Sequence, residues 1–295
     1  MNGLNETAVI WNAEWRRTVR SGRVVVLLAL YSMFSALVLL VVGGITRALR
    51  EQVESRMAQA GADANASAQV FSEARKGFLG VLVGNDQAML EALSQVPLVV
   101  LVVFKVTLFF LPAYVALMGF DQVSGEVGPR SMRYLTVRAR RSSVLLGKFL
   151  AQATVLLGLV LIIDLAIFLY AFATTPDFTF PAMALLLLKF WLAAVVFSLA
   201  YLALTTLCSS LFRSPAVSLV FNFILLFAFW LVDVVGSVAQ GRNVVEYVRY
   251  LSPSYYATNL PHPQVAQFGV SGLAYAVFAA VFLGGALFIL RTRDL

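Results

Sequence analysis

Residues 97–119 read PLVVLVVFKVTLFFLPAYVALMG, and this stretch decides the fold class. It carries one charged side chain, Lys105, among branched, aromatic and other apolar residues. A helix needs about 20 mostly apolar residues to cross the roughly 30 Å of hydrocarbon in a bilayer. The stretch therefore predicts a membrane-spanning helix.

Five further apolar runs of similar length lie on either side of this one. Together they predict six spans, at residues 24–45, 97–119, 144–173, 182–208, 216–238 and 270–290. Of the 295 residues, 60% are hydrophobic and 13% are charged, whereas soluble domains carry roughly 25% charged residues. Such a chain cannot cover a globular surface in water, but lipid accepts an apolar exterior. We expect one all-α transmembrane domain over residues 1–295 rather than a soluble enzyme.

Arginine and lysine residues are distributed unevenly around these spans. The net charge of +7 is compatible with nucleic-acid binding, but Lys and Arg also collect on the cytoplasmic side of membrane proteins. With six spans, every short basic flank falls on one side, whereas residues 174–181 contain neither Lys nor Arg. This predicts a multi-pass protein of the inner (cytoplasmic) membrane, with both termini cytoplasmic and no nucleic-acid partner. The basic residues of the flanks are Arg16, Arg17, Arg20, Arg23, Arg130, Arg133, Arg138, Arg140, Arg141, Lys148, Arg213, Arg291 and Arg293.

Two segments outside the spans are long enough to have structure of their own. Residues 46–96 are rich in Ala, Gln and Glu and too long for a plain connector. We expect a small external cap, with a helix at 47–59 that continues the first span and helical pieces at 67–82 and 86–93. Residues 239–269 carry several tyrosines between prolines, which suits the headgroup layer. Both a short interfacial or re-entrant piece and an ordinary loop with aromatic anchors fit this segment.

The inventory of reactive residues indicates that the chain is not itself an enzyme. One cysteine, Cys208, and one histidine, His262, exclude an internal disulfide framework and the usual zinc and haem sites. Gly147 and Lys148 are followed by Phe149 and lack the upstream glycine of a phosphate-binding loop. We therefore expect no catalytic residue, no metal site and no cofactor bound by this chain.

Three charged residues lie inside the apolar runs: Lys105, Asp164 and Lys189. All three fall at similar depth in the outer half of the predicted bundle, where a charge is costly unless it is paired or hydrated. We expect Asp164 to pair with Lys189 or Lys105. One interpretation is a structural ion pair with the remaining lysine snorkelling outward, and the other is a site that contacts substrate.

The most informative segment between spans is residues 121–148, DQVSGEVGPRSMRYLTVRARRSSVLLGK. On charge alone it fits an arginine-rich cytoplasmic loop. Its order of S-G-E at 124–126, a glycine turn, an apolar and basic segment, and L-L-G-K at 145–148 resembles the intracellular loop of permeases of type-2 ABC exporters. In that family this loop forms the coupling helix, which fits into a groove on a separate ATPase subunit.

Other parts of the chain agree with this resemblance in the same order. Residues 11–23 resemble the family's connecting helix on the membrane, and residues 207–215 resemble its turn between the fourth and fifth spans. Residues 251–253 and 293–295 resemble its last external segment and its common ending. The resemblance covers nearly the whole chain.

The chain departs from the family pattern in two places. The family usually has Gly-Thr where this chain has Gly128-Pro129, and usually a proline where this chain has Val137. Because proline lacks an N–H group and restricts the residue before it, we expect the start of the coupling helix to be shifted.

The resemblance implies partners and site residues. It implies a separate ABC ATPase subunit that holds ATP and Mg, and a second permease subunit, identical or paralogous. The residues it implies in ATPase coupling are Ser124, Gly125, Glu126, Arg130, Arg133, Leu135, Arg138, Arg140 and Arg141. Those it implies in the connecting helix are Glu14, Arg16, Arg17 and Arg20.

Three functions remain open at this point. The first is the permease subunit of an ATP-driven exporter. The second is a scaffold that relays ATPase motion through residues 46–96 to an envelope partner without transport. The third, an ion-coupled secondary transporter, is less favoured because such proteins usually show internal repeats and spans broken by Gly or Pro, and the sequence shows neither clearly.

Overall fold

The computed structural model describes residues 3–60, 73, 76–77, 79–80, 87–94, 96–129, 131–174, 179–238, 246–262 and 264–293. Within these ranges the regular structure is helical and no strand occurs, which confirms the predicted all-α class. The helices are α1 Gly3–Arg20, α2 Gly22–Ala60, α3 Gln87–Ser94, α4 Leu98–Gly119, α5 Ser124–Val127, α6 Met132–Arg138, α7 Arg141–Thr174, α8 Phe180–Leu211, α9 Pro215–Val238, α10 Pro253–Tyr256 and α11 Val265–Thr292, with a 3₁₀ helix at Glu246–Leu251.

Six helices of the described chain are long and apolar enough to cross a membrane, as predicted. They correspond to the first part of α2 and to α4, α7, α8, α9 and α11. Several extend past the predicted apolar runs: α7 begins at Arg141 rather than at residue 144, and α11 at Val265 rather than at residue 270. The reason is that polar residues at the edge of the hydrocarbon layer can continue the same backbone hydrogen-bonding pattern, so hydropathy alone does not place a helix end.

Helix α2 is much longer than one span. Its 39 residues correspond to about 58 Å at 1.5 Å per residue, nearly twice the hydrocarbon thickness. The helix predicted at 47–59 is therefore the direct continuation of the first span. Helix α3 confirms the helical piece predicted at 86–93, whereas most of the piece predicted at 67–82 lies outside the described residues.

Contacts group the chain into two compact units, and each span helix from α2 to α8 contributes to both. In the second unit, Met89 and Leu93 of α3 are buried, and the Tyr31 hydroxyl donates a hydrogen bond to Thr107 Oγ1 at 3.1 Å. The expectation of one domain over residues 1–295 stays a prediction. The first unit comprises Met1–Leu28, Leu108–Ile162 and Lys189–Leu295, and the second Ala29–Thr107 and Ile163–Leu188.

A small apolar core in the first unit fixes the segment between α4 and α7. Met132 of α6 is fully buried in it, and Ile10 of α1 packs against it. The core also contains residues from the first turns of α7 and the last turns of α11, so the short helices α5 and α6 are held against the ends of long helices. Its buried members are Val123, Val127, Met132, Val144, Leu145, Ala286 and Leu290.

The tyrosine-rich segment contains two short helices in the part that the structure describes. Residues 246–256 form the 3₁₀ helix and α10. The Tyr275 hydroxyl on α11 donates to the Pro253 carbonyl at 2.7 Å, and Arg249 forms an ion pair with Asp233 on α9 at 3.2 Å. These contacts attach the segment to two spans; its position relative to a membrane stays a prediction.

Candidate functional site

A buried lysine connects three separate helices at one end of the first unit. Lys148 lies on the second turn of α7, and its side chain is 4% exposed. Its Nζ donates to Glu14 Oε1 of α1 and to Glu126 Oε1 of α5, both at 2.7 Å. Hydrogen bonds between charged groups are roughly twice as strong as neutral ones, so this network of Lys148, Glu14 and Glu126, called the Lys148 network below, joins α1 and α5 to a long span helix.

Arginines lie at the edge of the Lys148 network. Arg17 reaches Glu126 Oε1 at 3.4 Å, but its side chain is 74% exposed, so the pair contributes little to stability. Arg23, at the start of α2, forms an ion pair with Asp121. Of the four predicted connecting-helix residues, Glu14 and Arg17 thus belong to the site, whereas Arg16 and Arg20 are exposed on α1.

Gly147 explains why α1 can lie so close to α7. A Cβ atom at this position would lie 2.8 Å from Ile10 Cγ2 and 3.1 Å from the Thr7 carbonyl oxygen, and the first of these distances is shorter than real Cβ contacts. A larger residue would force α1 away from α7 and stretch the bond between Glu14 and Lys148. In the motif L-L-G-K, the glycine permits the approach and the lysine makes the ion pairs.

The motif S-G-E is held by a serine from another helix. Ser209 Oγ, on α8, accepts hydrogen bonds from the backbone N–H groups of Val123 and Ser124 at 2.9 and 3.0 Å. The first N–H groups of a helix have no partner within the helix, and here a neighbouring span supplies one. The Thr206 hydroxyl also donates to Gln122 Oε1 at 3.1 Å. The segment that begins α5 is therefore fixed to α8 as well as to α7.

These α8 residues were not predicted as site residues from the sequence. Thr206 and Ser209 are fully buried, and they belong to the run LTTLCSSL at residues 204–211. The sequence does contain a signal for them, namely hydroxyl side chains one helical turn apart within an apolar run. Such residues often form hydrogen bonds between helices in membranes. Asp121, Gln122 and Arg23 also belong to the site and were not predicted as site residues.

Arg141, at the start of α7, caps the C-terminal end of α11. Its Nη1 lies 2.7 Å from the Leu290 oxygen, 2.8 Å from that of Arg291 and 3.1 Å from that of Arg293. A cation is stabilised at a helix C-terminus, where carbonyl groups lack partners. Burial lowers the pKa of Arg293, whose Nη1 donates to the Ser210 carbonyl at 2.8 Å. The guanidinium of Arg141 is thus used within the chain.

Arg140 also contacts the N-terminal helix. Its backbone N–H donates to Glu6 Oε2 of α1 at 3.2 Å. Arg130 lies outside the described residues, and the side chains of Arg133 and Arg138 do as well. The role predicted for these arginines in ATPase coupling stays a prediction.

Helix α6 presents apolar side chains to the outside. Tyr134 is 81% and Val137 85% exposed, and Leu135 is exposed to 36%, whereas Met132 is fully buried in the core. We call Tyr134, Leu135 and Val137 the α6 face. Contiguous apolar patches that are exposed to water mark interaction surfaces, which makes the α6 face a candidate docking surface.

The charged residues within the spans differ from Lys148 in their surroundings. Asp164 is 7% exposed, and its Oδ2 has no hydrogen-bond partner. Among the described residues, no ion pair joins Asp164 to Lys105. Lys105 and Lys189 are half-buried. The pairing of Asp164 with a lysine stays a prediction. Lys148, by contrast, has two carboxylate partners.

The fold and the site together define the class of the protein. It has six helices suited to crossing a membrane, and in its first unit a short helix and the N-terminal helix are held to α7 by the ion pairs of buried Lys148. In the described part of the chain, no three His, Cys, Asp or Glu side chains come together as a metal site would require. The protein is thus a multi-pass helical membrane protein.

Comparison with protein families specifies this class further. The chain matches the ABC-2 family transporter proteins over residues 8–295, and it belongs to this family. The identification from sequence as a type-2 ABC permease is thereby confirmed. Comparison with curated proteins gives no match. Membership makes the chain a membrane permease of an ABC transporter and implies a partner ATPase and a dimeric arrangement.

Proposed function

We propose that this chain is the non-catalytic membrane subunit of an ABC exporter, and that a separate ATPase subunit binds ATP and Mg and docks on the α6 face. The observation that carries the proposal is the pairing of an exposed apolar face with a buried ionic attachment. Tyr134 and Val137 are free to contact a partner, while Lys148 holds the same segment to α7 through Glu126.

The contacts support a route by which motion at α6 reaches the spans. Movement of α5 and α6 would act on α7 through Lys148 and on α8 through Ser209. These helices have 34 and 32 residues, so each is long enough to carry a displacement across a bilayer. Rigid-body movement of packed helices is a common way to convert a local change into a global one.

The orientation in the membrane follows from charge. We place the α6 face and both termini in the cytoplasm, because the basic flanks fall on that side. Two membrane subunits, identical or paralogous, would form the transport path between them. Two ATPase subunits would bind on the cytoplasmic side. The sequence resemblance to exporters supports outward transport.

Co-purification of the ATPase tests docking and transmission separately. The tagged chain is purified gently from its native membrane, and co-purifying ATPase and its ATP hydrolysis are measured. The double variant Tyr134→Asp/Val137→Asp should lose the ATPase, because it charges an apolar contact surface. Lys148→Met should retain the ATPase but lose the link between hydrolysis and transport.

The matched control is Tyr247→Asp, which charges another exposed tyrosine outside the spans, 69% exposed, in the 3₁₀ helix far along the chain from α6. It should retain the ATPase. If Tyr134→Asp/Val137→Asp keeps the ATPase as well as the control does, the α6 face is not the docking surface. Absence of any ATPase with the parent chain would contradict the proposal as a whole.

A second candidate function is supported by α2. Because this helix continues without a break to Ala60, it could transmit ATPase-driven motion to an envelope partner without transport. Deletion of residues 61–86 would distinguish the two functions. An exporter should keep its ATP-coupled transport after the deletion, whereas a relay should keep ATP hydrolysis and lose its effect on the partner.

A further inference from the structure

Buried polar side chains follow one side of α8 over its last turns. We call them the α8 row, which consists of Tyr201, Thr205, Thr206 and Ser209. Each of them is at most 4% exposed. Tyr201, Thr205 and Ser209 are spaced by four residues, which places them on one face of the helix. Polar side chains inside a span are costly unless they are bonded, so the row indicates bonds to neighbouring elements.

One end of the α8 row holds the start of α5. Besides accepting from the N–H groups of Val123 and Ser124, the Ser209 hydroxyl donates to Ser124 Oγ at 3.3 Å. A hydroxyl group has one donor and two acceptor positions, so Ser209 uses its whole hydrogen-bonding capacity on this segment. Thr206 adds the bond to Gln122. The start of α5 is thus attached to α8 by several bonds.

The other end of the α8 row lies beside α10. The Tyr201 hydroxyl is 3.5 Å from Ser254 Oγ. The Tyr201 ring packs on Phe197, one turn away on α8, with ring centroids 4.7 Å apart, and the Phe197 ring also contacts Tyr275 of α11 at 5.5 Å. These ring contacts fix the position of Tyr201. In the described part of the chain, its hydroxyl makes the direct hydrogen bond between α8 and α10.

The part of α8 between these two ends favours movement as one body. Tyr201 and Ser209 are eight residues apart, which is about 12 Å along the helix. Residues 182–211 contain neither Gly nor Pro, the residue types at which helices most often kink. In the middle of the row, Thr205 Oγ1 accepts a hydrogen bond from Asn222 Nδ2 of α9 at 2.8 Å. A displacement at one end of the row is therefore passed to the other.

Helix α7 has no comparable contact with α10. Within the described residues, the hydrogen bonds that leave α10 and its N-terminal cap Ser252 reach the preceding 3₁₀ helix, α8, α9 and α11, but not α7. The start of α5 is attached to both α7 and α8. Of these two attachments, only the one to α8 continues to α10 by hydrogen bonds.

We propose that α8 couples α5 to α10, so that a displacement of α5 changes the position of α10, with Tyr201 as the positioning residue at the far end. The coupling is a property of this chain alone, whereas its use in transport rests on the proposed function. Sites more than about 7–10 Å apart without a shared partner normally act independently. Additivity therefore tests the coupling, and because the test needs no ATPase, its failure is distinguishable from failure of the proposed function.

A cysteine beside α10 reports its movement. Ala257 is half-buried directly after α10, and Ala257→Cys is made in a chain that also carries Cys208→Ala. The full chain is reconstituted in nanodiscs, and the rate of labelling by a small maleimide is measured for Ser209→Ala, Tyr201→Phe and the double variant. Each single variant should raise the rate about fivefold, the factor expected for loss of one hydrogen bond.

The double variant gives the decisive result. Its rate should exceed that of Tyr201→Phe by less than about twofold, because α10 no longer follows α8 once the Tyr201 hydroxyl is gone. If the two single effects multiply in the double variant, the ends of α8 act independently and the proposal is overturned. An unchanged rate with Ser209→Ala alone would also overturn it.

Ser143→Ala is the matched control. Ser143 is a buried serine of α7, 3% exposed, and its hydroxyl donates to the Gly3 carbonyl at 3.3 Å. Its replacement should leave the labelling rate at residue 257 within about twofold of the parent. If Ser143→Ala raises the rate as much as Ser209→Ala does, the reporter follows general loosening and the assignment is wrong. Thr206→Val removes the bond to Gln122 at similar shape; it should act in the same direction as Ser209→Ala and replaces it if that variant folds poorly.

Discussion

Replacing Lys148 with methionine tests whether the buried ion pairs hold the N-terminal helix and the α5–α6 segment to α7. Removing one partner of a buried ion pair costs roughly 3–5 kcal/mol. The Glu14 and Glu126 side chains remain 21% and 14% exposed, so water offsets part of that cost. We therefore expect a loss in the free energy of unfolding of about 2–3 kcal/mol.

Repulsion between the two carboxylates gives a similar magnitude. Both carboxylate oxygens lie 2.7 Å from the same nitrogen, so they are at most roughly 5.4 Å apart. Without the ammonium, two like charges at about 5 Å repel by about 3 kcal/mol at an effective dielectric constant near 20. The cost of Lys148→Met is thus mainly repulsion between Glu14 and Glu126. The triple variant Lys148→Met/Glu14→Gln/Glu126→Gln should recover most of the lost stability.

Cys208 provides the assay. It is the chain's one cysteine and is fully buried on α8, beside Ser209. The rate at which a fluorogenic maleimide labels it reports opening of the end of the first unit that contains the site. Labelling of Lys148→Met should begin at a lower temperature or denaturant concentration than labelling of the parent chain.

The control is Lys76→Met, which removes an exposed lysine and should label like the parent. If Lys148→Met labels like Lys76→Met, the ion pairs of Lys148 do not hold these helices to α7. If the triple variant stays as unstable as Lys148→Met, the loss comes from packing rather than from unpaired carboxylates.

Three further changes test other parts of the site and the spans. Gly147→Ala places a methyl group 2.8 Å from Ile10 Cγ2 and should destabilise the chain by about 1–3 kcal/mol; Ile10→Ala in the same chain should relieve part of this, as measured by Cys208 labelling. Ser209→Ala leaves the N–H groups of Val123 and Ser124 without their acceptor and should cost about 1–3 kcal/mol, whereas Ser237→Ala, at an exposed serine of α9, should cost almost nothing in thermal unfolding. Asp164→Asn should leave unfolding unchanged or raise its midpoint, because Asp164 Oδ2 is buried without a partner; a large loss of stability would show that Asp164 is paired as a carboxylate.

The spans could be predicted because the bilayer imposes one strong rule on the sequence. A segment such as residues 97–119 has to be apolar over a fixed length, and this constraint is visible without knowledge of any contact. The helical continuation at 47–59 was also predictable, since no Gly or Pro interrupts it. Helix ends were less accurate, and α11 begins five residues before the predicted span, because the residues from Val265 onward extend the helix without needing to be in hydrocarbon.

The partners of the site residues could not be predicted in this way. Glu14 and Glu126 each lie in a segment that carries several other charged residues. Nothing near them in sequence distinguishes Lys148 as their common partner. The bond between Ser209 and the start of α5 joins residues 85 positions apart. Such pairs are set by how helices pack, and a single sequence records only that each residue is polar, not which one it faces.

Arg141 and Tyr134 show the same limit: the sequence indicated an external role for Arg141 and gave no role to Tyr134, whereas the structure holds Arg141 internally and exposes Tyr134. An arginine in a basic loop suggests an external partner, but Arg141 is held by three carbonyl groups at the end of α11, which makes it part of the support of the segment. Tyr134 is 81% exposed, while Met132 on the same short helix is fully buried. A surface that receives force from a partner needs a rigid attachment on its opposite side. Charged residues make this attachment here, and in the proposed function the exposed apolar residues of α6 would make the contact. It follows that substitutions of Arg141 should act through stability of the chain, and substitutions of Tyr134 through binding.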